Sequence, residues 1–205
     1  MKKGYFITFE GIDGCGKTTQ MDLLADYLRD EHDIAVIETR EPGGVGLGQK
    51  IRELLLNYDG EVASQSEMFL FLADRAQNIN NIVNPAIQSK KIVLCDRHTD
   101  STVAYQGYGR GLDIEEINTL NCIATGQRKP DLTILFDIDV ETSLKRVGKE
   151  QDRIESEGAQ FLDTVRRGYL TLAKMEPNRV KVIDSTRSIE EIHKDVVKLV
   201  DDLLD

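Results

Sequence analysis

Gly11-Ile12-Asp13-Gly14-Cys15-Gly16-Lys17-Thr18 has the spacing G-x-x-x-x-G-K-[ST] of a phosphate-binding loop. Its glycines permit a tight turn, and their missing side chains let successive backbone N–H groups face one anion. Lys17 supplies a point charge near the outer phosphates and Thr18 a hydroxyl for Mg²⁺. The flanks agree with this. Tyr5-Phe6-Ile7-Thr8-Phe9 upstream is an apolar strand pattern, and downstream Met21, Leu24, Ala25 and Leu28 fall at i, i+3, i+4 and i+7 of a helix. The loop therefore joins a strand to a helix N-terminus, where the peptide dipoles favour phosphate.

The chain's 205 residues can bury a sizeable core and read as one domain over 1–205. Hydrophobic residues at 40% and charged ones at 30% are ordinary for a soluble globular protein, and no apolar run reaches the roughly 18 residues of a membrane span. Met1-Lys2-Lys3-Gly4-Tyr5 leads straight into the first strand without the apolar segment of a secretory signal. Cys15, Cys95 and Cys122 are odd in number and form no C-x-x-C pair, which points to a reducing cytoplasm. A net charge of −10 argues against non-specific nucleic-acid binding. Local positive charge is nevertheless present: Arg40, Arg52, Arg75, Arg97 and Arg110 fall in one third of the chain, and guanidinium suits bidentate phosphate recognition.

Further along, Ile34-Ala35-Val36-Ile37 is a short strand running into a loop, Glu38-Thr39-Arg40-Glu41-Pro42-Gly43-Gly44. Leu47, Ile51, Leu54 and Leu55 suggest a helix. Ser64 with Glu67 forms a capping-box signal before another that contains Met68, Phe69, Leu72 and Ala76, and Pro85 bends or interrupts the chain beyond it. Strands are expected at Ile92–Cys95, Leu132–Phe136 and Val180–Ile183. Helices are expected from Ile114 behind Asp113, from Val140 to Val147, from Phe161 to Met175, and from Ile189 to Leu204 behind a Ser188/Glu191 box. The order, βαβαα then βαβααβα, implies an α/β fold with a mainly parallel sheet, helices on both faces, and ligands at the strands' carboxyl ends. The polar, glycine-bounded stretch from Gly148 to Gly158 reads as a mobile surface loop or lid.

Arg40 stands where a strand ends, as a phosphate ligand or a solvated surface charge. Asp96-Arg97 closes an apolar strand, so the carboxylate can face Mg²⁺ and the guanidinium the phosphoryl groups. Asp137 closes another strand, and position alone does not choose between the two carboxylates. Phe71, inside an apolar run, reads as a core aromatic on its own. Cys15 lies near a helix N-terminus and an ammonium, features that lower a thiol's pKa. The competing reading is an inert thiol under the loop.

Taken together, Phe9-Glu10-Gly11 with the loop, Thr39-Arg40-Glu41-Pro42-Gly43-Gly44, Asp96-Arg97-His98 with Ser101, Ala104-Tyr105-Gln106-Gly107, Lys129-Pro130-Asp131-Leu132 and Asp152-Arg153-Ile154-Glu155 resemble bacterial-type thymidylate kinase, in family order along essentially the whole chain. The resemblance implies a P-loop nucleoside-monophosphate-kinase fold, a five-stranded parallel sheet with helices on both faces and a lid at about 147–158. It also implies phosphorylation of dTMP to dTDP by ATP with Mg²⁺, and a cytoplasmic homodimer whose partners are small-molecule nucleotides, with no nucleic acid and no membrane. Residues Gly11 to Thr18 would hold ATP, with Thr18 and Asp96 on the metal. Lys17, Asp96, Arg97 and Arg153 would be catalytic. Arg40, Arg52 and Arg97 would serve the monophosphate, and Asp13 the 3′-hydroxyl side of its sugar. Phe71 would stack on thymine, Arg75 and Gln106 would read its polar edge with Ser101 and Thr102 nearby, and Tyr105 would crowd a ribose 2′-hydroxyl.

Some members of the family carry an arginine at the place of Gly14, so here the catalytic arginine is expected from the lid, as Arg153. Gly148 falls where a second lid arginine is usual, leaving Arg146 and Lys149 as substitutes. Two other functions compete. A deoxynucleoside kinase would need a carboxylate base near the end of the second strand, Glu38 or Glu41, and a non-catalytic P-loop regulator would bind nucleotide without transferring phosphate.

Overall fold

The computed structural model describes residues 3–148, 153–154 and 157–205. Met1, Lys2, Lys149, Asp152 and Glu155 lie outside the described residues, as does the rest of the lid stretch at 149–152 and 155–156. Among the described residues the strands are β1 (Tyr5–Glu10), β2 (Val36–Arg40), β3 (Ile92–Asp96), β4 (Leu132–Asp137) and β5 (Val180–Asp184). They pair in parallel in the order β2-β3-β1-β4-β5. Alternate side chains supply the two faces. Ile7, Phe9, Ile92 and Leu94 join a core with Leu24 and Leu28 of α1 (Lys17–Asp30) and Val196 and Val200 of α9 (Ile189–Leu204). Phe6, Val93 and Cys95 point the other way, against Ile79, Val83 and Ala86. Both faces are therefore covered, the condition under which an all-parallel sheet is stable.

Helix ends follow side-chain chemistry at two of the expected caps, Asp113 and Ser188, and at one not read from the sequence, Asp139. Asp113 accepts the N–H groups of Glu115 and Glu116 at the start of α6 (Ile114–Thr125), Asp139 caps α7 (Val140–Val147), and Ser188 and Glu191 cap each other at α9. The capping box expected at Ser64/Glu67 does not form. In α3 (Ser64–Asn78) the N-cap is Ala63, Ser64 is already inside the helix, and the Glu67 carboxylate turns to Gln106, Arg110 and Arg153. Met68 and Leu72 are buried as the spacing predicts, but Phe69 is 54% exposed. Strand β2 also differs from expectation, continuing through Thr39 to Arg40 because its backbone pairs with β3 up to Arg40 opposite Asp96. An edge strand tolerates the polar alternation that makes this half look like loop.

Pro85 does mark an interruption. Helix α3 passes through a π-helical turn at Ile79–Val83 into α4 (Asn84–Gln88), whose first turn carries the proline. A second π-helical turn, Val103–Gly109, comes after the short α5 (Thr99–Thr102) and aims Tyr105 and Gln106 at the strand ends. Helices α2 (Gly46–Asn57) and α8 (Ala159–Met175) complete the order.

Beneath the strand ends a polar network takes the place of an apolar core. The Glu41 carboxylate accepts from Arg75 Nε (2.7 Å) and Asn78 Nδ2 (3.0 Å) and lies 3.1 Å from His98 Nδ1. Arg75, itself buried, donates further to Thr102 Oγ1, Asn121 Oδ1 and the His98 carbonyl. Burial alone would raise Glu41's carboxyl, but His98, Arg75 and the donated hydrogen bonds hold it near about 2. Because the folded value is depressed, this stabilisation is present above the ordinary 4.5 and is lost as pH falls from there toward about 2. We therefore expect Glu41→Gln to cost about 3 kcal/mol at neutral pH, by leaving a buried guanidinium uncompensated. In urea titrations the gap between parent and variant should narrow progressively as pH falls from 4.5 toward about 2. A gap of equal size at neutral and acid pH contradicts this account.

Candidate active site

A cavity of about 630 Å³ opens at the carboxyl ends of the strands. Its near wall is the P-loop. Gly11 has φ 138°, and a Cβ there would sit 2.5 Å from the Phe136 carbonyl oxygen, so only glycine fits. Gly16, at φ 91°, is the residue from which α1 begins, leaving that helix without a side-chain cap and with its first N–H groups directed at the loop. Lys17 Nζ donates to the carbonyls of Gly11 (3.0 Å) and Ile12 (3.2 Å) and lies 3.9 Å from the Asp13 carboxylate. Asp13, Gly14, Cys15, Gly16, Lys17 and Thr18 line the cavity. Gly11 and Ile12 stand behind it, the latter packed in the core. Cys15 is 1% exposed, and burial pushes its thiol up in spite of Lys17 and Arg97, which favours the inert reading over the reactive one.

The far wall gathers the residues expected on the acceptor side. Arg40, Arg52, Arg75 and Arg97 line it, as do Phe71, Ser101, Thr102, Tyr105 and Gln106. Phe71 is half-buried at this wall. Gln106 donates its amide to Glu67, and because a carboxylate only accepts, the orientation of that amide is set from behind. Arg97 links the two walls. Its Nη2 donates to Asp13 (2.6 Å), its Nη1 to the Gly11 carbonyl (3.0 Å), and its guanidinium lies 5.2 Å from the centre of the Tyr105 ring. Burial would raise Asp13's carboxyl, but Arg97 and Lys17 lower it to about 2. Arg97 also has φ 70°, a left-handed conformation held by its own N–H on Phe9 O and by Cys95 Sγ on its carbonyl.

Two arginines depart from expectation. Arg153 does not line the cavity, although its neighbour Ile154 does. Its guanidinium donates to Glu67 (2.6 Å) and to the Leu55 carbonyl (2.8 Å). Arg110, read as part of the local positive charge, binds the same Glu67 and also Glu157, away from the cavity wall. Burial would raise Glu67, but these arginines and Gln106 keep it below the usual carboxylate range. On the P-loop side the lining includes Arg146, whose Nη2 donates to Ser185 O (3.2 Å), together with Gln20, Arg187 and Ile189. Of these, only Arg146 stands out in the sequence. The segment after β5 could have been found by the rule that ligands lie beyond strand carboxyl ends.

The two strand-end carboxylates differ in their partners. Asp137 is held bidentately by Arg166 and does not line the cavity. Asp96 does, and its buried Oδ1 accepts no hydrogen bond from the described residues. An orphaned carboxylate oxygen lining the same cavity as Thr18, whose side chain carries a hydroxyl, offers the hard-oxygen chemistry that suits Mg²⁺. One wall can therefore cradle a polyphosphate and the other a second anion, with an aromatic beside it.

Comparison with known proteins gives the same answer. The family described as thymidylate kinase matches residues 9–196. A thymidylate kinase from Sulfurihydrogenibium sp. is 51% identical over 195 residues, covering 95% of each chain. One from Desulfovibrio desulfuricans is 48% identical over 197 residues, covering 91% of this chain and 90% of its own. The crystal structure of thymidylate kinase from Ehrlichia chaffeensis superposes with a TM-score of 0.80 at 39% identity, over 97% of this chain and 99% of that one. Agreement of this extent reaches far beyond a shared P-loop, and the chain belongs to the thymidylate kinase family.

Proposed function

We propose that the chain transfers the γ-phosphoryl group of ATP to dTMP, giving ADP and dTDP, with the residues of the two walls in separate roles. The observation that carries this is one cavity with a P-loop on one side and four arginines with Phe71 on the other. Phosphoryl transfer needs positioning and charge neutralisation more than covalent chemistry, and a phosphate acceptor needs no strong base. The P-loop amides and Lys17 bind the donor phosphates; Arg40, Arg52 and Arg97 bind the acceptor phosphate; Asp13 stands at the sugar. Phe71 stacks on thymine, Arg75, Thr102, Ser101 and Gln106 surround its polar edge, and Tyr105 fills the space of a 2′-hydroxyl. Thr18 and Asp96 would hold Mg²⁺, which when bound neutralises charge on the donor phosphates.

The deoxynucleoside-kinase reading is disfavoured because its candidate bases are occupied. Glu41 is filled by Arg75, Asn78 and His98, and Glu38 pairs with Arg29 at 2.6 Å. One cluster joining side chains from Ile7 to Val200 supports a single kinase domain over 1–205. A homodimer is supported by Leu47, Leu54, Tyr58 and Phe69, 51% to 54% exposed on or beside the mutually packed α2 and α3. Three free thiols suit a cytoplasmic location.

ADP release should be fastest with dTMP among the four deoxynucleoside monophosphates and slow with thymidine; equal rates across the panel, or thymidine as the better acceptor, sink the assignment. Lys17→Ala should lower kcat about a hundredfold or more, since a charge on the migrating group is lost. For the lid cation, Arg153→Ala should lower kcat about tenfold or more with little change in the KM for dTMP. Should only Arg146→Ala, at the P-loop wall, have that effect, the role belongs to Arg146.

A further inference from the structure

Glu10, the last residue of β1, is fully buried and does not line the cavity. Its Oε1 accepts the His98 N–H (2.7 Å), fixing the peptide next to the left-handed Arg97. Its Oε2 accepts from Ser101 Oγ (2.6 Å) and from Tyr169 Oη (3.0 Å), and those two oxygens are 2.7 Å apart. Both then face Arg97, whose Nη1 reaches Ser101 Oγ at 3.4 Å and Tyr169 Oη at 3.3 Å.

A proton count makes this triangle informative. Three oxygen–oxygen contacts need three hydrogens, and the two hydroxyls supply two. With Glu10 ionised, one contact is left bare; with Oε2 protonated, every contact carries a hydrogen while Oε1 remains free to accept from His98. The charged or titratable groups around Glu10 are Arg97, Asp100, Tyr169 and the Cys95 thiol, and Asp100 is itself paired with Arg179.

We propose that Glu10 is a positioning residue for Arg97 and that its carboxyl proton closes this ring, so that Arg97 meets the acceptor phosphate with one compensating carboxylate, Asp13, instead of two. The proposal rests on the reading of Arg97 as an acceptor-phosphate ligand. Burial and the charge of Asp100 push the Glu10 carboxyl up to about 7, against the pull of Ser101 and Arg97. Ionisation as pH rises would therefore weaken the hold on the acceptor near neutrality.

The test uses the full chain with carboxyl-¹³C glutamate. One glutamate should titrate near neutral pH and be absent in Glu10→Gln, which carries a neutral amide of the same size. Measured by calorimetry without ATP, the affinity of the parent for dTMP relative to Glu10→Gln should fall about threefold or more between about pH 6 and pH 8.5. Taking the ratio cancels the titration of the dTMP phosphate, which is common to both proteins. Asp100→Asn removes a neighbouring negative charge and should move both the titration and the fall in affinity to lower pH, which keeps the test alive if Glu10→Gln does not fold. No glutamate titrating above about pH 6, or a flat affinity ratio, overturns the proposal. Arg97→Ala separates the two readings: unchanged dTMP affinity there removes the assignment of Arg97, whereas weak binding beside a flat ratio removes only the role of Glu10.

Discussion

Strands β1 and β3 end side by side, Phe9 opposite Asp96, and that register brings the P-loop against the Asp96-Arg97-His98 turn. The ion pair between Arg97 and Asp13 then spans two turns that are 84 residues apart in sequence. Parallel strands make this possible, because all their carboxyl ends face one side and the loops leaving them must meet there. The rest of the site depends on that junction. Arg40 ends β2 on the far side of β3, and the P-loop wall is extended by Ser185, just beyond the end of β5.

A site that binds two highly charged nucleotides needs several arginines near one another, and their mutual repulsion and desolvation must be offset within the fold. The offset comes from carboxylates in the cavity wall, Asp13 and Glu41, and one behind it, Glu67. Glu41 holds Arg75, Glu67 holds Arg110 and Arg153, and Asp13 holds Arg97. Glu41 and Glu67 carry two or more donors each and stay below the ordinary carboxylate range, whereas Glu10, which touches hydroxyls and an amide but no cation directly, is pushed up. Burial raises all three carboxyls, and the direct guanidinium partners at Glu41 and Glu67 reverse that rise, whereas at Glu10 burial and the charge of Asp100 outweigh its hydroxyl and amide donors.

Much of this was legible in the sequence. The strand and helix order, the P-loop, and the caps at Asp113 and Ser188 come from local spacing, whereas the convergence of Arg40, Arg52, Arg75 and Arg97 on one cavity comes from the family resemblance. Local signals failed where a tertiary partner outbid a local one. Glu67 has the spacing of a capping residue but three distant donors compete for its carboxylate, and no spacing rule reveals a partner 86 residues away such as Arg153. The second half of β2 reads as loop because its polar side chains conceal a backbone that pairs in full with β3. The π-helical turn at Val103–Gly109 has no apolar period of its own, and its conformation is set by what Tyr105 and Gln106 must reach.

Arg153 shows why position in a motif and position in space are separate questions. Its place in Asp152-Arg153-Ile154-Glu155 points to the transferred phosphate, yet its guanidinium lies on Glu67 and the carbonyl of Leu55, while Ile154 beside it lines the cavity. Glu67 also orients the Gln106 amide at the far wall, so one carboxylate touches both Arg153 and a residue that lines the cavity. An exchange of Arg153 from carboxylate to phosphate would leave Glu67 with Arg110 and Gln106 still donating, so the buried charge would not be stranded. That redundancy lowers the cost of releasing Arg153 well below the cost of breaking an isolated buried pair. Anchorage on Glu67 is thus compatible with release of Arg153.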